Sequence, residues 1–301
     1  MRQKIILFLI ATLLLSTKPL TAKEEMPTRE ERIYSLSTIW KEMCYNFAFP
    51  ETLQKANIDS LYLAYLPKIE QAEDNYDYYR TLCAFMTHFN EAHTRIYTNN
   101  RPDDMPPLKT INFGEKIIVS NIAQSMAGEI PIGSEIIKIN QIPVADYIKD
   151  AVYPYIAAAT SHWKFDKSVS EMLYGKPLSE VNLTIMTPKG REKDVKMIRN
   201  YHSNETKEVM ANSTYSSPIN IKIIDKNIGY IQLSSFAGQY IDTINSIFNS
   251  NLPQLRKCKG LIIDIRGNRG GIPENIYPLI KNWENISLIL KIIIQEQLWR
   301  K

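Results

Sequence analysis

The stretch GLIIDIRGNRGG, from Gly260 to Gly271, decides the fold of the last third of this chain. Its first part, Leu261–Ile265, is a short apolar run, typical of a strand buried on both faces of a parallel sheet. The run ends in a turn that holds three glycines, and a proline and a glutamate follow where a helix would begin. Four of the chain's 11 glycines lie in this stretch. It therefore predicts a strand, a glycine turn and a helix.

The backbone N–H groups of such a turn can converge beside a positive helix end. That arrangement favours a bound anion, or an oxyanion that develops during a reaction. Two phosphate-binding motifs do not fit, because no Lys-Ser/Thr follows the last glycine and the glycines lack G-x-G-x-x-G spacing. From spacing alone, a plain strand-to-helix turn without a ligand is the alternative.

The segment KGLIIDIRGNRGG resembles the core motif of the C-terminal processing, or tail-specific, serine peptidases. The tricorn-core and interphotoreceptor retinoid-binding proteins are relatives of that family. GYIQLSSF, Gly229–Phe236, is also typical of its catalytic domain. The resemblance implies a peptide or protein substrate, and it implies an oxyanion hole formed by a backbone N–H of Gly270 and Gly271. It implies no cofactor.

A candidate general base comes from a second likeness to the same family. Exported members carry a loop similar to Leu-x-Asp-Gly-His-Thr after three helices, and in tricorn-like members its histidine is the base. FNEAHTRI matches at His93 and Thr94, whereas Glu91 and Ala92 stand where Asp-Gly is usual. The alternation of polar residues after His93 predicts an extended stretch over Thr94–Thr98. The other histidines lie in no such motif.

The family's nucleophilic serine lies tens of residues beyond the glycine pair, in a Thr-x-Ser-x-x-Glu-like context. No residue after Gly271 matches that context, and Ser287, the only serine there, has apolar neighbours. Ser234 and Ser235 end a predicted strand, and they are interpreted as structural because a nucleophile needs a neighbouring base. The resemblance therefore predicts a chain that is truncated before its nucleophile and inactive alone. The apolar run 286–294 could pack on the sheet as a helix, and the sheet is expected to lack its later strands and to leave a strand edge bare.

The hydrophobic pattern predicts an α+β multidomain protein. Residues 1–22 form a signal peptide, and residues 23–100 form a helical N-terminal domain with an aromatic stripe in its core. Residues 105–200 resemble a PDZ domain through IPIGSEIIKINQIPVADYI, although the usual carboxylate-binding loop is not evident. Residues 215–301 begin an α/β peptidase core with a parallel crossover, which is expected to be incomplete.

Composition and the N-terminus set the class and the compartment. The net charge is +4, and residues 1–22 hold three basic and no acidic residues, so cleavage would leave +1. That charge excludes a basic footprint for nucleic acid. The apolar run 5–15 is too short for a membrane span and is typical of an export signal. We therefore expect a periplasmic or extracellular protein with no stable membrane span after cleavage, and the three scattered cysteines show no metal-ligand spacing.

Two functional hypotheses follow from these patterns. The first is an exported serine peptidase of the tail-specific family. The alternative is a non-catalytic module that binds peptides or apolar ligands through the PDZ-like and helical domains. A downstream segment that carries a serine and a glutamate in the family's context would favour the first hypothesis.

Overall fold

The computed structural model describes residues 25–98, 100–202, 209–211, 217–224, 227–266, 268, 270–272 and 289–293. The predicted signal peptide and Ser287 lie outside these residues. The chain divides into two compact units, residues 1–213 and 214–301, and each unit is described by itself.

The first unit opens with helices whose starts are fixed by side-chain caps. The Thr28 hydroxyl accepts the Glu31 N–H at 3.2 Å, and the Glu31 carboxylate accepts the Thr28 N–H at 2.8 Å. Asp74 likewise accepts the Asp77 N–H at 2.9 Å. These bonds satisfy N–H groups that a first helical turn leaves unpaired. The four helices are α1 (Arg29–Asn46), α2 (Pro50–Ala56), α3 (Ile58–Glu70) and α4 (Asn75–Thr87).

The predicted aromatic stripe lies in the core of these helices. Phe85 and Phe89 are buried, and their rings meet edge to face with centroids 5.3 Å apart. Leu36 of α1 and Ile69 of α3 are fully buried in the same cluster. Burial of each such side chain contributes about 2–3 kcal/mol. The stripe is therefore core packing, as the sequence pattern predicts.

An antiparallel sheet of six strands follows in the first unit. Its order is β1-β2-β3-β5-β6, with β4 paired to β3 beside this path. The strand β1 is not among those predicted individually from the sequence. A short helix α5 (Val144–Tyr147) and a longer helix α6 (Ser161–Glu171) lie between strands in the chain. The strands are β1 (Leu108–Phe113), β2 (Lys116–Ile122), β3 (Glu135–Ile139), β4 (Ile142–Pro143), β5 (Glu180–Met186) and β6 (Glu192–Ile198).

The second unit is a four-stranded mixed sheet with one helix. It contains β7 (Ile219–Ile224), β8 (Ile228–Leu233), α7 (Ile241–Leu255), β9 (Gly260–Asp264) and β10 (Ile289–Ile293). The order is β10-β9-β8-β7, in which β7 and β8 are antiparallel and the other pairs are parallel. Buried apolar side chains of α7 and the sheet form one core cluster. The predicted strand–helix–strand crossover is thus β8–α7–β9.

The α+β class is confirmed, while the expectation of a bare strand edge at β9 is wrong. Within the run 286–294, the described residues Ile289–Ile293 form a strand that pairs in parallel with β9 from Gly260 to Asp264, and they are not part of a helix. The edge of β9 is therefore covered rather than bare. A continuous apolar run has no helical period, so it suits a strand in a parallel sheet as well as it suits a helix. Residues 94–98 form no regular strand.

Candidate functional site

An ion pair between Asp264 and Arg266 fixes the end of β9, where the glycine turn begins. The side chain of Asp264 is 4% exposed, and Arg266 donates to its two oxygens through Nε at 2.9 Å and Nη2 at 2.7 Å. Tyr230 of β8 donates its hydroxyl to the same carboxylate at 2.5 Å. Hydrogen bonds from Arg266 are the main cause that holds the pKa of Asp264 at about 2. The ionised carboxylate therefore fixes the first residues of the turn to the neighbouring strand.

Asn268 fastens the middle of the turn. Its N–H donates to the Ile265 carbonyl at 3.0 Å, and its side-chain amide donates to the Leu233 carbonyl at 3.0 Å. Its side-chain oxygen accepts the Gly270 N–H at 2.8 Å. Asparagine commonly mimics a backbone turn in this manner. The turn is therefore tied to the end of β8 through one side chain.

The glycine pair lies against the backbone of Phe236. Phe236 donates its N–H to the Gly270 carbonyl at 2.9 Å, and its own carbonyl accepts the Ile272 N–H at 3.0 Å. Gly270 has φ of 85° and Gly271 has φ of 143°. A Cβ on Gly271 would overlap the carbonyl of Phe236 and lie 2.5 Å from the Ala237 nitrogen. Both the conformation and the space at Gly271 therefore require glycine.

The two glycines differ in what their N–H groups can do. The Gly270 N–H is occupied by the Asn268 side chain. The Gly271 N–H meets no acceptor among the residues that the structure describes. Of the predicted oxyanion-hole pair, Gly271 is therefore the residue whose N–H is not taken by an acceptor among the described residues.

The second candidate, His93, lies on a short loop after α4. Asn90 turns the chain with φ of 51°, and Glu91 then bends back onto the residues that follow it. Glu91 Oε2 accepts the N–H of His93 at 2.8 Å and also the N–H of Thr94. Glu91 Oε1 lies 2.9 Å from His93 Nδ1. The imidazole is 95% exposed, whereas the Glu91 side chain is 13% exposed.

The carboxylate of Glu91 is ionised throughout the neutral range. Burial pushes the pKa of Glu91 upward, but the hydrogen bonds from His93 and Thr94 outweigh burial and hold the pKa at about 2. The sequence reading missed this role, since it treated Glu91 only as a departure from the family's Asp-Gly. The sequence did show a carboxylate two residues before the histidine, close enough along the chain to pair with the imidazole.

The remaining histidines are engaged elsewhere in the first unit. His88 ends α4, and its Nε2 lies 3.0 Å from the Tyr65 hydroxyl. Burial lowers the pKa of His88. His162 Nε2 lies 3.2 Å from the carboxylate of Asp166 on the same helix. His202 stacks on the ring of Tyr174.

A surface pocket of about 550 Å³ adjoins the His93 loop. Glu91 lies on its rim, and Lys55 and His88 supply its other titratable groups. The apolar part of its wall comes from Phe49, Ala56, Phe89 and Ala159. The loop that carries His93 is therefore next to a pocket with a partly apolar wall.

Ser234 and Ser235, at the end of β8, form hydrogen bonds with backbone groups. Ser234 donates its hydroxyl to the Ser217 carbonyl at 3.3 Å, and the Ser235 hydroxyl accepts the Ala237 N–H at 3.1 Å. Both hydroxyls therefore serve the local backbone.

His93 belongs to the first unit, and Gly270 and Gly271 belong to the second. The described residues hold no cluster of three or more metal-ligating side chains. Within the same residues, no helix is both long and apolar enough to cross a membrane.

Comparisons with known proteins address the second unit most directly. Residues 227–293 match the model of peptidase family S41. This match confirms the resemblance to the tail-specific peptidases, and it spans β8, α7, β9, the glycine turn and β10. No curated protein matches the chain.

Solved structures extend the likeness to most of the chain. A crystal structure of a CPAF mutant aligns with a TM-score of 0.65 and 14% identity. Mature CPAF complexed with lactacystin aligns with a TM-score of 0.64 and 13% identity. Both alignments cover 84% of this chain and 59% of the CPAF chain. Identity this low shows a shared fold, and this chain spans about three fifths of those structures.

Proposed function

Because residues 227–293 match peptidase family S41, we propose that this chain serves in an exported serine-type peptidase of the tail-specific family. Its substrates are peptides or proteins, and its compartment is periplasmic or extracellular. The observation that carries the proposal is the family's glycine turn, which is fastened to Leu233 and Phe236 and whose Gly271 N–H meets no acceptor in the described part of the chain.

Two groups in the chain have roles in this reaction. His93 acts as the general base: its Nε2 takes the proton of the nucleophilic hydroxyl as that oxygen attacks the scissile carbonyl. The proton then passes to the leaving amine. Gly271 donates its N–H to the oxyanion of the tetrahedral intermediate, while Gly270 supports the turn through Asn268.

The supply of the nucleophile is part of the proposal. We assign that role to no serine of residues 1–301, and the 301-residue chain is expected to be inactive alone. The sheet of Leu108–Ile198, with the helices α5 and α6, is proposed to be the PDZ-like domain. This assignment draws on its antiparallel order and on the Ile130–Ile148 motif.

The test compares histidine variants in an active form of the protein. The reading frame is followed past Lys301, and any serine-bearing segment found there is expressed in one chain with residues 23–301. His93→Ala should lower kcat by about 1,000-fold or more without loss of fold, as removal of a triad member does. The control His162→Ala, which removes a partly exposed histidine that also pairs with a carboxylate, should change kcat little.

Near-full activity of His93→Ala would contradict the tricorn-like assignment. A serine–lysine arrangement, which other family members use, would then be the better account of the base. Circular dichroism of both variants separates a loss of chemistry from a loss of fold.

One observation favours the alternative function, a binding module without catalysis. A cavity of about 220 Å³ in the first unit has Tyr79, Tyr155 and Tyr174 in its wall. Aromatic walls of this kind suit an apolar or peptide ligand. Saturable peptide binding by a chain whose reading frame supplies no serine in the family's context would support this function over the peptidase.

A further inference from the structure

We propose that Glu91 is a positioning residue for His93, which holds the imidazole so that Nε2 is the open nitrogen. The inference rests on the proposed function for the role of His93 as a base. Glu91 stands where the family's loop usually carries aspartate, and the inference gives the carboxylate at this position a role in orienting the base.

The geometry gives each carboxylate oxygen of Glu91 a separate task. Oε2 accepts the backbone N–H groups of His93 and Thr94 and so fixes the path of the loop. Oε1 lies 2.9 Å from His93 Nδ1 and so fixes the ring. One side chain therefore fixes both the loop backbone and the orientation of the imidazole. This lowers the conformational entropy that would otherwise be lost when the base is brought into position for reaction.

The chemistry of the pair fixes which nitrogen carries the hydrogen. An ionised carboxylate can only accept, so the Nδ1 beside it must be a donor. In the neutral ring the lone pair is then on Nε2, and the ring is exposed on that side. A general base needs a free lone pair that a hydroxyl can approach. Lys55 and His88 are the other titratable groups at the pocket that Glu91 borders.

Comparison among the histidines supports a specific arrangement rather than a chance contact. All four histidines of the chain lie in the part that the structure describes. His88, His162 and His202 each meet their partner through Nε2. His93 alone among the four is held through Nδ1. It is therefore the one histidine of the four whose Nε2 is left for the proton of the nucleophilic hydroxyl.

The test reads the tautomer of His93 in the 301-residue chain, with no need for peptidase activity. Nitrogen-15 NMR, recorded above the pH at which the imidazoles lose their charge, distinguishes protonated from bare ring nitrogens. Native His93 should show the Nδ1–H form in at least about tenfold excess, as a charge-assisted hydrogen bond provides. Glu91→Ala should shift the ring toward the Nε2–H form that free imidazole prefers.

A second variant and a control complete the design. Glu91→Gln keeps the size of the side chain, and its amide can either accept or donate, so a mixture of both tautomers is expected. The matched control Asp166→Asn removes the carboxylate of another histidine pair and should leave the His93 signals unchanged. Native His93 in the Nε2–H form, or a native tautomer that persists in both Glu91 variants, would overturn the proposal.

This readout separates the proposal from the proposed function. Suppose that the tautomer result holds but His93→Ala remains active in the nucleophile-bearing form. The role of His93 as the base then fails, while its pairing with Glu91 stands. If His93 is essential but its tautomer is the same in the Glu91 variants, only the positioning role of Glu91 is refuted. In the nucleophile-bearing form, Glu91→Ala should lower kcat by roughly 100-fold or more with little change in KM, as a wrong tautomer does.

Discussion

The substitution Gly271→Ala tests whether the glycine turn is held as tightly as its contacts indicate. A methyl group at this position would overlap the Phe236 carbonyl, which is backbone and cannot rotate away. The turn would have to move off Phe236, and φ of 143° is also unfavourable for alanine.

The expected cost follows from the bonds that would open. Two backbone hydrogen bonds join the turn to Phe236, from its N–H to Gly270 and to its carbonyl from Ile272. Each contributes about 1 kcal/mol net, and the backbone strain adds about 1–2 kcal/mol. The sum is about 3–4 kcal/mol of local stability. Gly260→Ala is the matched control, because a Cβ there meets nothing within 4 Å and φ is not positive.

Native-state hydrogen exchange at the Phe236 and Ile272 amides is the measurement. A loss of about 3 kcal/mol should make exchange at both amides roughly 100-fold faster in Gly271→Ala. Gly260→Ala should leave both rates within about threefold of the native chain. Equal protection in the two variants would refute the argument that Gly271 is required by close contact with Phe236.

Three further predictions concern stability, processing and chemistry. Asp264→Asn should destabilise the second unit by about 2 kcal/mol at pH 7, because a native pKa near 2 lies about two units below that of an ordinary carboxyl group. A lowered native pKa gives stability that is lost as the pH falls from about 4 toward 2. Urea unfolding curves of the native chain and the variant should therefore converge over that pH range. A difference in stability that persists at pH 2 would argue against an ionised Asp264 paired with Arg266. If the signal peptide is cleaved, N-terminal sequencing of the exported protein should begin near Lys23, and a start at Met1 would refute export by cleavage. A fluorophosphonate probe should not label the 301-residue chain, and stoichiometric labelling at Ser234 or Ser235 would contradict the assignment of both as structural.

Much of the architecture follows from short-range pattern. The helix starts at Thr28 and Asp74 are set by groups three residues apart, so they depend on local sequence. The buried run Leu261–Ile265 and the glycines after it likewise predict the strand and its turn. The resemblance of this stretch to the tail-specific peptidases was readable for the same reason, since the motif is continuous in sequence.

The sequence does not show which of the two glycine N–H groups lacks a described hydrogen-bond acceptor. The glycine pair is visible in the sequence, but its contact with Phe236 joins residues more than 30 positions apart. Which of the two N–H groups remains open depends on the side-chain direction of Asn268. Spacing does not encode that direction, because several rotamers are compatible with the same turn.

The sequence by itself determined the α+β class, the main helices, the strand–turn stretch and the candidates His93, Gly270 and Gly271. Only the tertiary structure decided that Ile289–Ile293 is a strand beside β9, that the Gly270 N–H is taken by Asn268 while the Gly271 N–H meets no described acceptor, and that Glu91 holds His93 through Nδ1. The physical reason is common to all three. Periodicity and glycine content report the preferences of a segment, whereas pairing partners, N–H satisfaction and ring orientation depend on which groups the folded backbone brings within about 3 Å.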